Sequence, residues 1–129
     1  MPPRFRKLNL GSSVTVTQSG RPEESDPDIV APEGYRLVWN DEFELGDTPD
    51  TEKWYYETAE PGWVNNELQT YVSGDSEMGR KCIDLSHGTL KISLIPVGER
   101  VYSIRMNTKE YWQYGYFEAR LKLPTGKGT

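Results

Sequence analysis

The chain carries a single cysteine, Cys82, and a single histidine, His87. One cysteine cannot close an internal disulfide, and without a CxxC or Cys/His cluster a structural zinc site has no support. One histidine leaves Ser-His-Asp, Cys-His and multi-His metal sites equally poorly supported, so both residues are expected to be structural. Long hydrophobic runs are missing as well. No stretch approaches the roughly 18 apolar residues a membrane helix needs, so no membrane partner is expected. The opening residues, Met-Pro-Pro-Arg-Phe-Arg-Lys, lack the apolar segment of a signal peptide. That start fits either a cytoplasmic protein or one whose signal has been removed. Lys and Arg number 15 against 20 Asp and Glu, a net charge of −5, and there is no basic stripe. Nucleic acid is therefore not an expected partner. An acidic surface also disfavours anionic polysaccharides, whereas a neutral glycan is compatible with it. No stretch shows helical periodicity of useful length.

What is present in excess is aromatic. Hydrophobic residues make up only 35%, yet aromatics reach 12%, with four Trp and eight Tyr. Flat apolar faces with a polar edge suit sugar rings. The same residues also suit a β-rich core, and composition alone leaves both readings open. At 129 residues the chain fits one domain. Val14-Thr15-Val16-Thr17 alternates and is β-branched, the pattern of a short strand. Residues 20–34 hold three prolines and five acidic residues, so residues 1–34 are expected to be an N-terminal arm or linker. Residues 35–129 carry the strand signals. Tyr35-Arg36-Leu37-Val38-Trp39 is a short run; residues 90–95 alternate and are expected to end at Pro96. Residues 101–106 follow a turn containing Gly98, and these two runs predict a hairpin. The strongest pattern is residues 114–123. Phe117, Ala119, Leu121 and Leu123 fall on one face and Tyr116, Glu118, Arg120 and Lys122 on the other, which predicts a half-buried strand. Short strands with frequent turns imply an all-β sandwich or jelly roll.

Five local patterns occur in order. They are Leu37-Val38-Trp39-Asn40-Asp41-Glu42-Phe43, with Asp50-Thr51-Glu52-Lys53-Trp54 soon after; Trp63-Val64-Asn65-Asn66-Glu67-Leu68-Gln69-Thr70-Tyr71; His87-Gly88-Thr89-Leu90-Lys91-Ile92; and Tyr114-Gly115-Tyr116-Phe117-Glu118-Ala119-Arg120-Leu121-Lys122-Leu123-Pro124. Together they resemble glycoside hydrolase family 16, in its laminarinase-like branch of endo-β-1,3- and β-1,3(4)-glucanases, over about residues 35–129. The resemblance implies a concanavalin A-like jelly roll of two stacked antiparallel sheets, here incomplete, whose concave face forms an open cleft for a β-glucan chain. It also implies a secreted, periplasmic or cell-surface protein, with the signal peptide absent from this sequence.

The family's catalytic motif, Glu-x-Asp-x-x-Glu or a form one residue shorter, does not occur in these 129 residues. Retaining hydrolysis needs two carboxyl groups about 5 Å apart, and no acidic pair here has a credible strand setting for that. The chain is therefore expected to be the N-terminal portion of a glucanase domain, inactive alone, with no catalytic residue of its own. A complementary C-terminal polypeptide or a second copy of the chain would complete it. A non-catalytic β-glucan-binding protein and a self-assembling fragment are the alternatives. By resemblance, Asn65 and Asn66 approach the non-reducing-side subsites, although adjacent asparagines also simply make turns. Arg105 is a candidate hydrogen-bonding partner of a bound glucose, and Trp63 and Trp112 are candidate stacking platforms. Trp39 and Trp54 are assigned to the core. No cofactor is needed for the chemistry. A structural calcium is common in the family, and the resemblance puts Glu42 and the carbonyl of Gly88 near it.

Overall fold

A computed structural model describes residues 13–19 and 29–126 of the chain. Most of the arm expected over residues 1–34, and the last three residues, lie outside that range. In chain order the elements are β1 (Ser13–Ser19), β2 (Tyr35–Asp41), β3 (Trp54–Glu57), β4 (Thr70–Tyr71), α1 (Glu77–Cys82), β5 (Ile83–Ser86), β6 (Thr89–Ile92), β7 (Ile95–Val97), β8 (Arg100–Ser103), β9 (Arg105–Thr108) and β10 (Tyr116–Arg120). The protein is all-β, with one six-residue helix among the described residues. Its sheets are small and mainly antiparallel, as an incomplete β-sandwich requires; among the described residues only β4 and β8 run parallel. No helix among the described residues is long and apolar enough to cross a membrane.

Two compact units divide the chain. The first joins the segment up to Glu42 with the segment from Trp112 onward. It holds a three-stranded sheet in the order β10-β1-β2. The alternating run at Val14 is the central strand, β1, paired antiparallel with both neighbours. Trp39 is buried, and Trp112 packs against it at 5.6 Å between ring centres, with Phe117 on the other side of Trp112 at 6.4 Å.

The second unit spans Phe43–Tyr111 and contains β3 to β9 and α1. The Asp50 carboxylate accepts from the Glu52 amide at 2.8 Å, and the Asp50 carbonyl accepts from Lys53 and Trp54, so a tight turn feeds β3. Trp54 is buried and stacks on Phe43 at 6.0 Å. Helix α1 is capped by Ser76, whose hydroxyl accepts from the Gly79 amide at 3.0 Å and donates to the Ser73 carbonyl at 2.6 Å. It ends in Cys82, which is fully buried and unpaired.

Three strand expectations need correction. The run over residues 90–95 is not one strand. It breaks at Ser93, whose amide is drawn to the Cys82 carbonyl at 2.8 Å. Its first half, β6, pairs with β5 through a two-residue loop in which His87 and Gly88 both have positive φ, 54° and 65°. The expected hairpin exists over a shorter span, β7 with β8, and Pro96 lies inside β7 instead of ending a strand. The sheet order β4-β8-β7 makes β7 an edge, where a missing N–H costs no ladder bond. Likewise residues 101–106 divide at buried Ile104: β8 pairs with β7 and β4, whereas β9 pairs with β3. The strand expected over 114–123 is β10, shortened to Tyr116–Arg120, and it is exposed along its whole length instead of half-buried. A period of two fixes which side chains share a face; it does not supply a layer to cover that face.

Candidate binding face on the β3–β9 ribbon

Strands β3 and β9 pair in the register Trp54↔Thr108, Tyr55↔Asn107, Tyr56↔Met106 and Glu57↔Arg105. Residues directly opposite share a face, and so do residues two apart on one strand. Trp54 and Tyr56 therefore point one way. Trp54 goes into the core, and the Tyr56 ring lies against Gly74, where an added Cβ would collide with it. Tyr55, Glu57, Arg105 and Asn107 point the other way, and this second face is polar.

Arg105 organises that face. Its Nε lies 2.8 Å from Glu57 Oε2, with both side chains about a third exposed. That oxygen is closed to solvent and has no well-directed hydrogen bond. We read the contact as an ion pair, because the separation is short although the N–H is off line. The guanidinium carbon stands 5.0 Å from the centre of the Trp63 ring. A cation over an indole face contributes ~0.5–1 kcal/mol at an exposed site, and the ion pair adds at most about 1 kcal/mol at this exposure. These contributions set geometry more than stability.

Trp63 is held from a second side. Tyr71 meets it edge-on at 6.4 Å and 81°, and the Tyr71 hydroxyl accepts from Gln69 Nε2 at 2.7 Å. The loop between is closed by backbone bonds: Ala59 and Tyr71 exchange both bonds of a bridge at 3.0 and 2.8 Å, and Gly62 donates to Glu67 at 2.8 Å. At its tip the Glu67 amide donates to the Val64 carbonyl at 3.1 Å, with Asn65 and Asn66 at φ 53° and 55°. Two central residues with positive φ and an i to i+3 bond are the signature of a type I′ turn. Both asparagines are exposed beside Trp63, which keeps 49% of its surface open. Behind Tyr71 lies an open depression of about 500 Å³, lined in part by Thr58, Glu60, Thr70 and Ser73.

Of the sequence-selected residues, the structure gathers Trp63 and Arg105 into one contact and puts Asn65 and Asn66 on the turn beside Trp63. Trp112 belongs to the other unit, packed on Trp39 and Phe117. Glu42 also lies in that other unit, whereas Gly88 sits in the β5–β6 loop. Calcium takes six or more oxygen ligands, and among the described residues no three Asp, Glu, His or Cys side chains come together. Among the described residues, these side chains alone therefore do not make a calcium cage.

Sequence reasoning missed Glu57 and Tyr55. The alternation in Trp54-Tyr55-Tyr56-Glu57 puts both opposite the core residues Trp54 and Tyr56. That was the available signal, but the partner across the ribbon needs the register. At the far end of the same face the Tyr55 hydroxyl lies 3.4 Å from that of Tyr111. This contact, with a smaller contribution from burial, raises the Tyr55 phenol above its ordinary pKa.

An exposed aromatic ring with a fixed guanidinium, a carboxylate and amides around it is chemistry suited to a neutral, hydroxyl-rich ligand. In sequence the chain is a glucanase homologue. It is 42% identical over 110 residues to a protein named Beta-glucanase from Rhodothermus marinus, an alignment that takes in 81% of this chain and 37% of that protein. It is 38% identical over 99 residues to Glucan endo-1,3-beta-glucosidase from Cryptopygus antarcticus, over 70% of this chain and 34% of the relative. It is 33% identical over 149 aligned positions to Glucan endo-1,3-beta-glucosidase A1 from Niallia circulans, over 93% of this chain and 22% of the relative. The chain thus spans between about a fifth and somewhat over a third of the length of these curated relatives. No family model matches it.

Proposed function

We propose that this chain is the N-terminal portion of a laminarinase-like family 16 glycoside hydrolase. The whole enzyme cleaves β-1,3- or mixed β-1,3-1,4-glucans with retention, and this portion supplies sugar-binding subsites. The observation that carries the reading is the contact of Arg105 with Trp63 on the polar face of the β3–β9 ribbon, with Glu57 behind it. A sugar ring stacks on the open part of Trp63 while Arg105 and the asparagines of the turn meet its hydroxyls. The names of the relatives favour a β-glucan over other neutral glycans. A polysaccharide does not cross a membrane unaided, which favours a secreted, periplasmic or cell-surface protein.

The chain by itself binds glucan without cleaving it. Its 129 residues hold no Glu-x-Asp-x-x-Glu motif, and the carboxylate on the candidate face, Glu57, is tied to Arg105. The same two observations favour the second reading, a non-catalytic glucan-binding protein. A complementary polypeptide or a second copy of the chain covers the exposed apolar residues of and after β10: Phe117, Leu121 and Leu123.

Electrophoresis through gels containing laminarin or barley β-glucan tests the binding. Retardation in both, with no reducing sugar released in solution, is the expected result. Migration unchanged by either polymer rejects the reading, and release of reducing sugar by the pure 129-residue chain rejects its inactivity.

A further inference from the structure

The geometry points to a second sugar platform on this face, built by Tyr55 and Tyr111. The inference rests on the glucan-binding reading and extends it beyond Trp63 and Arg105. Tyr55 lies two residues before Glu57 on β3, on the same face as Arg105. At ~3.3 Å per residue the step is about 7 Å along the strand, on the scale of one hexose and its linkage. Tyr111 is 81% exposed, and its hydroxyl is held 3.4 Å from that of Tyr55. Two phenol rings that meet at their polar tips present apolar faces with hydroxyls at the rim, which is the arrangement that stacks a pyranose and bonds its hydroxyl groups. Asn107 stands directly across from Tyr55, two residues along β9 from Arg105, so the same face stays polar between Arg105 and the tyrosine pair. All of these residues belong to one compact unit. A glucan laid along the ribbon therefore meets Trp63 and Arg105 first and the tyrosine pair one sugar further on, so that affinity rises with oligosaccharide length.

The test is calorimetric titration with β-1,3-linked gluco-oligosaccharides from disaccharide to hexasaccharide. In the unaltered chain, affinity is expected to climb by about two- to tenfold as the ligand grows long enough to reach the second platform. In Tyr111→Ala that climb disappears; in Tyr111→Phe, which keeps the ring, most of it remains. Because Tyr111 is so exposed, its removal leaves the core intact. A climb in Tyr111→Ala equal to that of the unaltered chain overturns the inference, and so does a loss in Tyr111→Phe as large as in Tyr111→Ala. If the unaltered chain binds no oligosaccharide of any length, the glucan-binding reading fails and this inference with it. A normal climb that Trp63→Ala weakens and Tyr111→Ala leaves intact rejects the second platform alone.

Discussion

Arg105 and Glu57 stand directly across the β3–β9 ribbon from each other, Nε to Oε2 at 2.8 Å, with the Arg105 guanidinium carbon 5.0 Å from the centre of the Trp63 ring. Arginine differs from lysine here. Its guanidinium is planar, stacks on an aromatic face and can give Nε to one partner while presenting its other N–H groups elsewhere. Glu57 is thus a positioning residue for Arg105.

Glu57→Gln keeps the shape and removes the charge. Thermal unfolding should register a loss of no more than about 1 kcal/mol, the scale of a partly exposed ion pair. Laminarin binding should fall several-fold, because Arg105 is no longer held over Trp63. Equal, small effects on stability and on binding would leave Glu57 a merely structural residue.

The asparagine turn separates backbone from ligand roles. Asn66→Ala must take a left-handed conformation without help from its side chain, and should cost about 1 kcal/mol in denaturant unfolding. Asn66→Gly satisfies the same φ at little cost. If Asn66 contacts sugar, Asn66→Gly folds normally and binds laminarin more weakly. Full binding by that variant would show that the residue serves only the turn.

Gly79 is tightly enclosed in the second unit. A Cβ there would run into the Ser73 carbonyl, which is backbone and already engaged by Ser76. Gly79→Ala is expected to destabilise by about 3 kcal/mol, the upper end of overpacking costs. At Gly74 the obstacle is the Tyr56 side chain, which can turn aside, so Gly74→Ala should cost less. Urea midpoints of the two variants give the order directly.

Burial raises the pKa of the Cys82 thiol and, chiefly through the same cause, of the Tyr56 phenol. Folding favours the neutral form of each. Their contribution is therefore fully present below the unfolded pKa values and is lost as pH rises through the folded ones. The melting temperature should decline from about pH 8.5 upward, and Cys82→Ala should remove the thiol's share of that decline. A flat profile between pH 8 and 10.5 would contradict this reading of the two environments.

Much of the fold was legible. The alternation at Val14 marked β1, Trp39 and Trp54 were correctly assigned to the interior, and Gly98 marked a hairpin. What the sequence hid was where strands change partners. Residues 101–106 look continuous because both halves alternate, yet Ile104 is the point at which the chain leaves the β7 and β4 pairing for that of β3. The covering of a face was equally hidden: Phe117 and Ala119 carry an inward-facing pattern on an exposed strand. Of the candidate site, Trp63 and Arg105 were found as separate residues. Their contact, and the Glu57 that fixes it, depend on a pairing between strands some fifty positions apart, which local pattern does not encode.

The central claim is that the Trp63–Arg105 cluster binds β-glucan. Titration of a β-1,3-gluco-oligosaccharide into the 129-residue chain and into Trp63→Ala tests it most directly, with circular dichroism confirming that both are folded. Saturable binding by the chain and a loss of at least tenfold in the variant is the predicted result. Equal affinity in the two, or no binding by either, would contradict it.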